Sequence, residues 1–506
     1  MNVVFLFSDQ HNPFFSGCYG NSITRTPAID SIAERGVRFE NAYCASPLCV
    51  PTRAAMFAGR YVHEVGTWDN ALPWTGAPSG WSHYLRDSGV RLTTVGKLDF
   101  KPDVDHGIEE ERLAMHRGSL DIHSLFREQE IVPRYSKWRQ MQATRPRDDY
   151  PEVINDDRVE QEAIRWLRED RPKDRPWVLN INFTNPHPGW GPPRELWDYY
   201  EQRVRLEDLP EKYFESPDKL HPYHRAFARH QCGDIATDED MRKGHIGYHA
   251  TCEIVDGNVG RVLNAMAELG ILDETLVIYG SDHGETCRAH ASWGKMTMYE
   301  DSIRIPLVVM GPGVRAGAVE TSPVSHLDLF PTICEATGLG IPEQFRGLSL
   351  WGQLKGQRDA LRNEFVLSEY HANGFPGGAF AIRSGRHKYV ECVGERPMLF
   401  DVQDDPQELH DLVVHRPNDP DVQGAIHRLR GMLCGVCSPE GVDVRAKADQ
   451  RALRAKLLAS GQLVEEMHKR GYERVPDRLI TREEILPDGG DGVSESRART
   501  NGSSSV

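Results

Sequence analysis

The sequence predicts an α/β fold, a large and mainly parallel sheet with helices on both faces. Three observations carry that expectation. Five short apolar or β-branched runs end in polar or glycine-containing turns, and continuous apolar strands are those buried on both faces, as parallel strands are. Helical stretches lie between these runs, and strands that alternate with helices build a layered α/β domain. Three of the runs end in acids or potential ligands, Asp9-Gln10, Lys97 and Asp282-His283, and in such sheets ligands collect at the carboxyl ends of the strands.

The first strand is VVFLFSDQ (3–10). TPAIDSIAERG (26–36) follows as a helix, with Pro27 near its first turn and Gly36 at its end. Pro51 fits the first turn of a second helix continued by TRAAMFAG. RLTTVGK (91–97) is the next strand. The insertion 103–150 is rich in charge and histidine; it suits a loop over the site, an oligomer contact or a solvated surface loop. Then come a helix at 156–170, the strand WVLNINFTNPH (177–187), a helix at 245–270, and the strands TLVIYGSDHGE (275–285) and IPLVVMGPG (305–313). A helix is expected at 326–339. Near residue 365 the pattern changes, and 377–412 reads as two or three short strands with turns. The expected organisation is a catalytic α/β domain at 1–365, a small antiparallel-sheet subdomain at 366–415 and a charged helical extension at 416–485. A tail at 486–506 has the composition of a flexible segment.

Apolar residues make up 39% of the 506 and charged residues 27%, close to globular averages. A net charge of −15 argues against nucleic-acid or anionic-membrane partners, while an anionic substrate needs only local positive charge. The apolar run Val3–Phe7 is too short for a secretory or membrane segment. With ten cysteines spread thinly, the expectation is a cytoplasmic protein in which Cys49 is not half of a disulfide.

Asp9 and Asp282 each stand where an apolar strand leaves the core. Two carboxylates meeting at one site repel unless a cation lies between them. Asp9, Asp282 and Gln10 suit a hard ion such as Ca²⁺, and ligation by His283 shifts the balance toward Mn²⁺. The bland alternative is that both acids cap the helices that follow. Cys49 would sit just before a helix N-terminus, where the dipole favours a developing anion, with Arg53 one turn on; the bland alternative is a buried small residue. Cys434 and Cys437 form one CxxC without a partner pair, a weak zinc pattern. Trp68, Trp74, Trp190 and Trp293 flank the motifs, as pocket walls or as ordinary packing.

The segment CVPTRAAMFAGR (49–60) resembles the signature of the type I sulfatases of the alkaline phosphatase superfamily. Further landmarks follow in that family's order: SDQ, TPAIDSIAERGVRFENAY, VGK, NPHPG, GSDHGE, GKMTMYEDSIRIPLVVMGPG, HLDLFPTI, RGLSL and the SGRHKYV…LFDVQDDPQEL close. The resemblance covers about residues 1–412. It implies an alkaline-phosphatase-like fold and a sulfatase that splits an aryl or alkyl sulfate monoester. It further implies that Cys49 is oxidised to formylglycine (3-oxoalanine) by a formylglycine-generating enzyme. One hydroxyl of the hydrated aldehyde would attack sulfur, and the other would expel sulfate by elimination. Carried over residue by residue, Asp9, Asp282 and His283 with modified Cys49 hold one divalent metal, Ca²⁺ first and Mn²⁺ or Mg²⁺ next, with Gln10 where many members have a second aspartate. Arg53 and Lys97 clamp the nucleophile and sulfate, His187 assists the leaving group, and Lys295 holds the scissile oxygen. Asn70 matches a contact to the transferred group. Asp99 stands where many members have histidine; His106 would supply that imidazole, and His290 a substrate contact. The Asp-Gln start, the Asp-His pair and DNA (69–71) resemble choline-sulfatase-like and phosphonate-monoester-hydrolase-like branches, which implies a homo-oligomer, dimer or tetramer. It also keeps a phosphodiester or phosphonate monoester hydrolase as the alternative. A catalytically silent metal-binding protein is the distant one.

Overall fold

The computed structural model describes residues 1–118, 120–127, 133–357 and 364–469. The expected tail at 486–506 and residues 470–485 of the expected extension lie outside the described residues. The strands are β1 (Asn2–Ser8), β2 (Val37–Phe39), β3 (Ala42–Tyr43), β4 (Arg91–Lys97), β5 (Glu110–Met115), β6 (Trp177–Asn182), β7 (Thr275–Ser281), β8 (Arg304–Ile305), β9 (Leu307–Met310), β10 (Ala318–Glu320) and β11 (Val324–Ser325). Eight of them form one sheet in the order β10-β2-β9-β7-β1-β6-β4-β5. β9 runs antiparallel to both its neighbours, and the other neighbouring strands pair in parallel. This is the expected fold class, a mainly parallel sheet between helices. β3, β8 and β11 form a separate three-stranded sheet.

Alternation along β1 explains why its run is apolar throughout. Val3, Phe5 and Phe7 enter one core with Met56 and Phe57 of the helix Cys49–Ala58 and with Phe330 and Ile333. Val4 and Leu6 enter the other, against Ile29 and Ile32 of the helix Pro27–Arg35, Trp166 of Pro151–Glu169, and Val255 and Val259 of Asp238–Glu268. A strand with a core on each side cannot show polar alternation. Gly36 ends the first helix directly over β9: a Cβ there would lie 2.0 Å from the carbonyl oxygen of Val309, so only glycine fits.

Two differences from the sequence reading have physical causes. The insertion 103–150 contains β5, the edge strand of the main sheet; its sequence EERLAM is too charged to read as a buried strand. The long helix starts at Asp238 rather than 245, because Thr237 and Asp240 form a reciprocal cap. The Thr237 hydroxyl accepts from the Asp240 amide at 3.1 Å, and the Asp240 carboxylate accepts from the Thr237 amide at 3.0 Å. Among the described residues no helix is long and apolar enough to cross a membrane.

A second, antiparallel sheet follows: β12 (Val366–Tyr370), β13 (Ala379–Ser384), β14 (His387–Cys392) and β15 (Met398–Asp401). One face packs on the main domain through Tyr370, Val390 and Phe400. The other receives Leu429 and Leu433 of the helix Pro420–Val436. The sheet is also tied by polar bonds. The Glu369 amide donates to the carbonyl of Ala45 at 2.9 Å, and its buried carboxylate faces His63 at 2.9 Å and His371 at 3.3 Å.

Burial pushes the Glu369 carboxyl up, but the charge of His63 and the bonds from His371 and His63 outweigh it and hold the group at about 2, below the ordinary 4.5. The ionised form therefore stabilises the fold fully above about pH 4.5, and that contribution drains away as the pH falls toward 2. Glu369→Gln is expected to flatten this acid limb by up to roughly 3 kcal/mol, read from urea midpoints measured against pH. Parallel acid limbs for the two proteins would refute the assignment.

Candidate active site

The register of the central strands assembles the site. Ser8 of β1 lies opposite Ser281 of β7, Phe7 opposite Asn182 of β6, and Asn182 opposite Gly96 of β4. Asp9, Asp282 and Lys97 therefore leave the sheet at one level and on one edge. The Asp282 carboxylate accepts from the amides of Gln10 and His283, each at 2.9 Å, which locks the two strand ends together. Gln10 adopts a positive φ of 72° to make this turn.

Cys49 is the first residue of its helix rather than the residue before it, and Leu48 is the extended cap. The Val50 amide, one of the donors a helix start leaves unpaired, is satisfied by the Asn70 side-chain oxygen at 3.2 Å. Cys49 is buried, with its sulfur 2.8 Å from Lys295 Nζ, 3.3 Å from His283 Nε2 and 3.9 Å from Asp9 Oδ1. One turn on, Arg53 donates from Nε to Asp282 at 3.0 Å and from Nη1 to the Lys97 carbonyl at 2.7 Å. Its Nη2 lies 3.8 Å from Asp9 Oδ2 and makes no hydrogen bond among the described residues. Lys97 pairs with Asp9 and, at 3.3 Å, with Asp99. Gln10 accepts from Lys295 at 2.6 Å and donates to Glu285.

The electrostatics follow from burial and pairing. Burial alone would raise the Asp9 carboxyl, yet Lys97, Lys295, His187 and Arg53 hold it well below the ordinary value. Burial pushes the Cys49 thiol up and Asp9 adds to this, while Lys295 and Lys97 oppose; the cysteine is not a ready thiolate. Burial brings the His283 imidazole down to about 4 against the pull of Asp282 and Asp9, so the ring is neutral. His283 Nδ1 faces the Gly284 carbonyl at 3.1 Å, which leaves Nε2 as the nitrogen turned to position 49.

This donor set fits a metal. Ligand atoms of Asp9, Cys49, Asp282 and His283 all lie within 4.8 Å of one another, and all four residues are buried. Two carboxylates and a neutral imidazole match a hard-to-borderline divalent cation.

The structure thus brings together Asp9, Gln10, Cys49, Arg53, Lys97, Asp282, His283 and Lys295, and His187 lies close enough to act on the charge of Asp9. Asn70 meets the Cys49 helix at Val50. Two expected substrate contacts, His106 and His290, are engaged by other side chains. His106 packs on Trp74 and Phe100 and faces Glu111, because the chain turns back toward β5 after Lys97. His290 stacks on Tyr299 and bonds Glu215 at 2.6 Å. Glu285, the last residue of GSDHGE, is a further member of the site: its carboxylate accepts from the Cys287 and Gly294 amides at 2.9 and 2.7 Å and braces Gln10. Gln450 donates to Asp69 at 2.6 Å from the helix Pro439–Ala459 and so steadies the Asn70 loop. Nothing local in the sequence marks that distant contact.

The family model described as sulfatase matches residues 1–339, and one described as N-sulphoglucosamine sulphohydrolase, C-terminal, matches 288–433. Choline-sulfatase of Rhizobium meliloti (strain 1021) is 30% identical over 466 residues, 89% of this chain and 89% of that protein. Arylsulfatase K of Bos taurus is 28% identical over 445 residues, 82% of this chain and 79% of its own. Among solved structures, the phosphonate monoester hydrolase of Agrobacterium radiobacter has a TM-score of 0.69 at 24% identity, covering 86% of this chain and 95% of that one; that likeness concerns the fold.

Asn70→Ala removes the acceptor for the Val50 amide and is expected to cost about 1 kcal/mol of stability. A lowered urea midpoint with unchanged far-UV circular dichroism is the expected result. An unaltered midpoint would mean that Asn70 does not cap this helix.

Proposed function

The chain belongs to the sulfatase family and is a sulfuric ester hydrolase; we propose that it cleaves an aryl or alkyl sulfate monoester using formylglycine at position 49 beside one divalent metal ion. The observation that carries this is the placing of Cys49 at a helix start, within reach of Lys295, His283 and Asp9 and one turn from Arg53. A buried thiol pushed away from its thiolate is a poor nucleophile, so the chemistry suits a precursor better than a working cysteine.

Asp9, Asp282 and His283 would hold the ion together with position 49. Ca²⁺ is the reading the carboxylates support, and Mn²⁺ the one favoured by the inward nitrogen of His283. When bound, the ion supplies Lewis-acid stabilisation of negative charge. Formylglycine, when formed, supplies paired hydroxyls, one to attack and one whose deprotonation releases sulfate.

The remaining roles belong to this chain's own side chains. Lys295 Nζ, held by Gln10, is the donor for the scissile oxygen, and Arg53 Nη2, which makes no hydrogen bond among the described residues, is a donor for a sulfuryl oxygen in a buried, low-dielectric setting where such contacts are strong. Lys97 is kept charged by Asp9 and Asp99 against the opposing effect of burial and adds a second ammonium near the same point. His187, on the turn after β6, supplies the proton for the departing alcohol oxygen. Asn70 holds the helix start on which position 49 sits. The proposal includes a cytoplasmic homo-oligomer with a small sulfate ester as substrate and a formylglycine-generating enzyme as maturation partner.

With one aryl leaving group on both centres, the sulfate monoester is expected to be hydrolysed faster than the phosphate diester. A preference for the diester by orders of magnitude would replace this reading with the phosphodiester or phosphonate alternative. Cys49→Ala is expected to lower turnover at least about 10³-fold while Asp9, Asp282 and His283 retain the metal. If peptide mass analysis after co-expression with a formylglycine-generating enzyme finds only the thiol, and no turnover accompanies it, the protein is the silent metal binder instead.

A further inference from the structure

A second cluster of ligating side chains, none of them shared with the group around Cys49, lies at the edge strand β5. His106, Glu111 and His116 each direct a ligand atom into one small volume, all within 4.8 Å of one another. His106 Nδ1 is 3.5 Å from Glu111 Oε1, and His116 Nε2 is 2.7 Å from Glu111 Oε2. The two imidazoles stack with centroids 5.3 Å apart.

The backbone is shaped to make this meeting. Between Val95 and Lys97 of β4, two steps, β5 advances three, from Arg112 to Met115, and Leu113 takes a positive φ of 45°. One extra residue reverses the alternation of β5, so that Glu111 and His116, five apart, share a side. His106 is brought in by a tight turn at Gly107, whose φ is 73° and where a Cβ would lie 2.3 Å from the His83 amide nitrogen.

An ordinary ion pair accounts for His116 and Glu111 but not for His106. That ring is 3% exposed, and its Nε2 makes no hydrogen bond among the described residues. Its Nδ1 is at the outer limit of hydrogen bonding to Glu111. A buried imidazole held this loosely is costly, and Nδ1 is the nitrogen turned to Glu111. Ligand distances of about 2.0–2.2 Å in a tetrahedral site put ligand atoms roughly 3.4 Å apart, close to the His106–Glu111 separation. Glu111 and His116 retain 25% and 19% side-chain exposure, which leaves an entry path and a position for water.

We propose that His106, Glu111 and His116 form a second metal site, selective for a borderline divalent ion of the Zn²⁺ class, that staples the 104–108 turn to the edge strand. Two imidazoles and one carboxylate are the donor set such an ion takes. The staple lies next to the segment that carries Asp99, since the amides of Leu98 and Asp99 both donate to the Met115 carbonyl beside His116.

The test is elemental mass spectrometry on the full chain, stripped with EDTA, loaded with Zn²⁺ alone and desalted. His116→Gln and Glu111→Gln are each expected to carry one zinc fewer than the wild type. Their affinity loss should exceed the roughly 10–100-fold that follows loss of a ligand's own hydrogen-bond partner. Asp282→Asn should keep this ion, and the Asp282→Asn, His116→Gln double variant should lose it. Both single substitutions are at partly exposed side chains, and circular dichroism of the metal-free proteins separates lost binding from lost folding. Equal zinc content in the wild type and both variants, or zinc that disappears only with Asp282→Asn, would overturn the proposal.

Discussion

Two carboxylates forced together at the ends of neighbouring parallel strands are the constraint on which the rest of the site depends. Asp9 and Asp282 follow directly on the last residues of β1 and β7, are fully buried, and cannot retreat without breaking the central register of the sheet. Buried like charges are tolerated only when opposite charge faces them. Arg53, Lys97 and Lys295 face them here, each from a different part of the chain. The same convergence that keeps the acids ionised builds a pocket of cations around position 49. Stability and chemistry are therefore one arrangement: the donors that neutralise the acids are those that would meet a sulfate.

The Cys49 helix is the second half of that arrangement. Its flank is packed in the core through Met56 and Phe57, so its start is held rigidly against the strand ends. The Val50 amide is capped by Asn70, and the Asn70 loop rests through Asp69 on Gln450 of the C-terminal helices. Arg127 continues the network, donating to Gln450 and to Asp443, each at 2.8 Å. A helical extension that looks peripheral in the sequence thus reaches the layer just behind Cys49. Loosening it would move the helix start by way of a single hydrogen-bonded loop.

Legibility in the sequence followed the range of the information. β1, β4, β6, β7 and β9 stood out because strands buried in the middle of the sheet draw mostly on apolar and β-branched residues. β5 did not, because an edge strand of charged residues has no such signature, and its bulge depends on pairing with β4. The helix that starts at Asp238 carried a local sign, Thr237 with Asp240, that the sequence reading overlooked. Glu285 was likewise visible in GSDHGE, although its role as a brace for Gln10 was not.

The candidate site residues were legible in the sequence: the acids at the strand ends, Cys49 with Arg53 one turn on, Lys97 and Lys295. Strand ends and helix starts are local features, and each residue's place on its own element follows from a few neighbours. The tertiary structure alone decided which of these residues meet. Gln10 and Asp282 touch across 272 residues of chain, and contacts of that range are set by sheet order and register. It also decided the fate of the histidines. His106 and His290 lie on connecting segments whose paths are dictated by packing against Trp74, Phe100 and Tyr299. Phe100 and Tyr299 stand near them in sequence, but nothing local says that the rings will pack together, because a loop takes its direction from the surfaces it crosses.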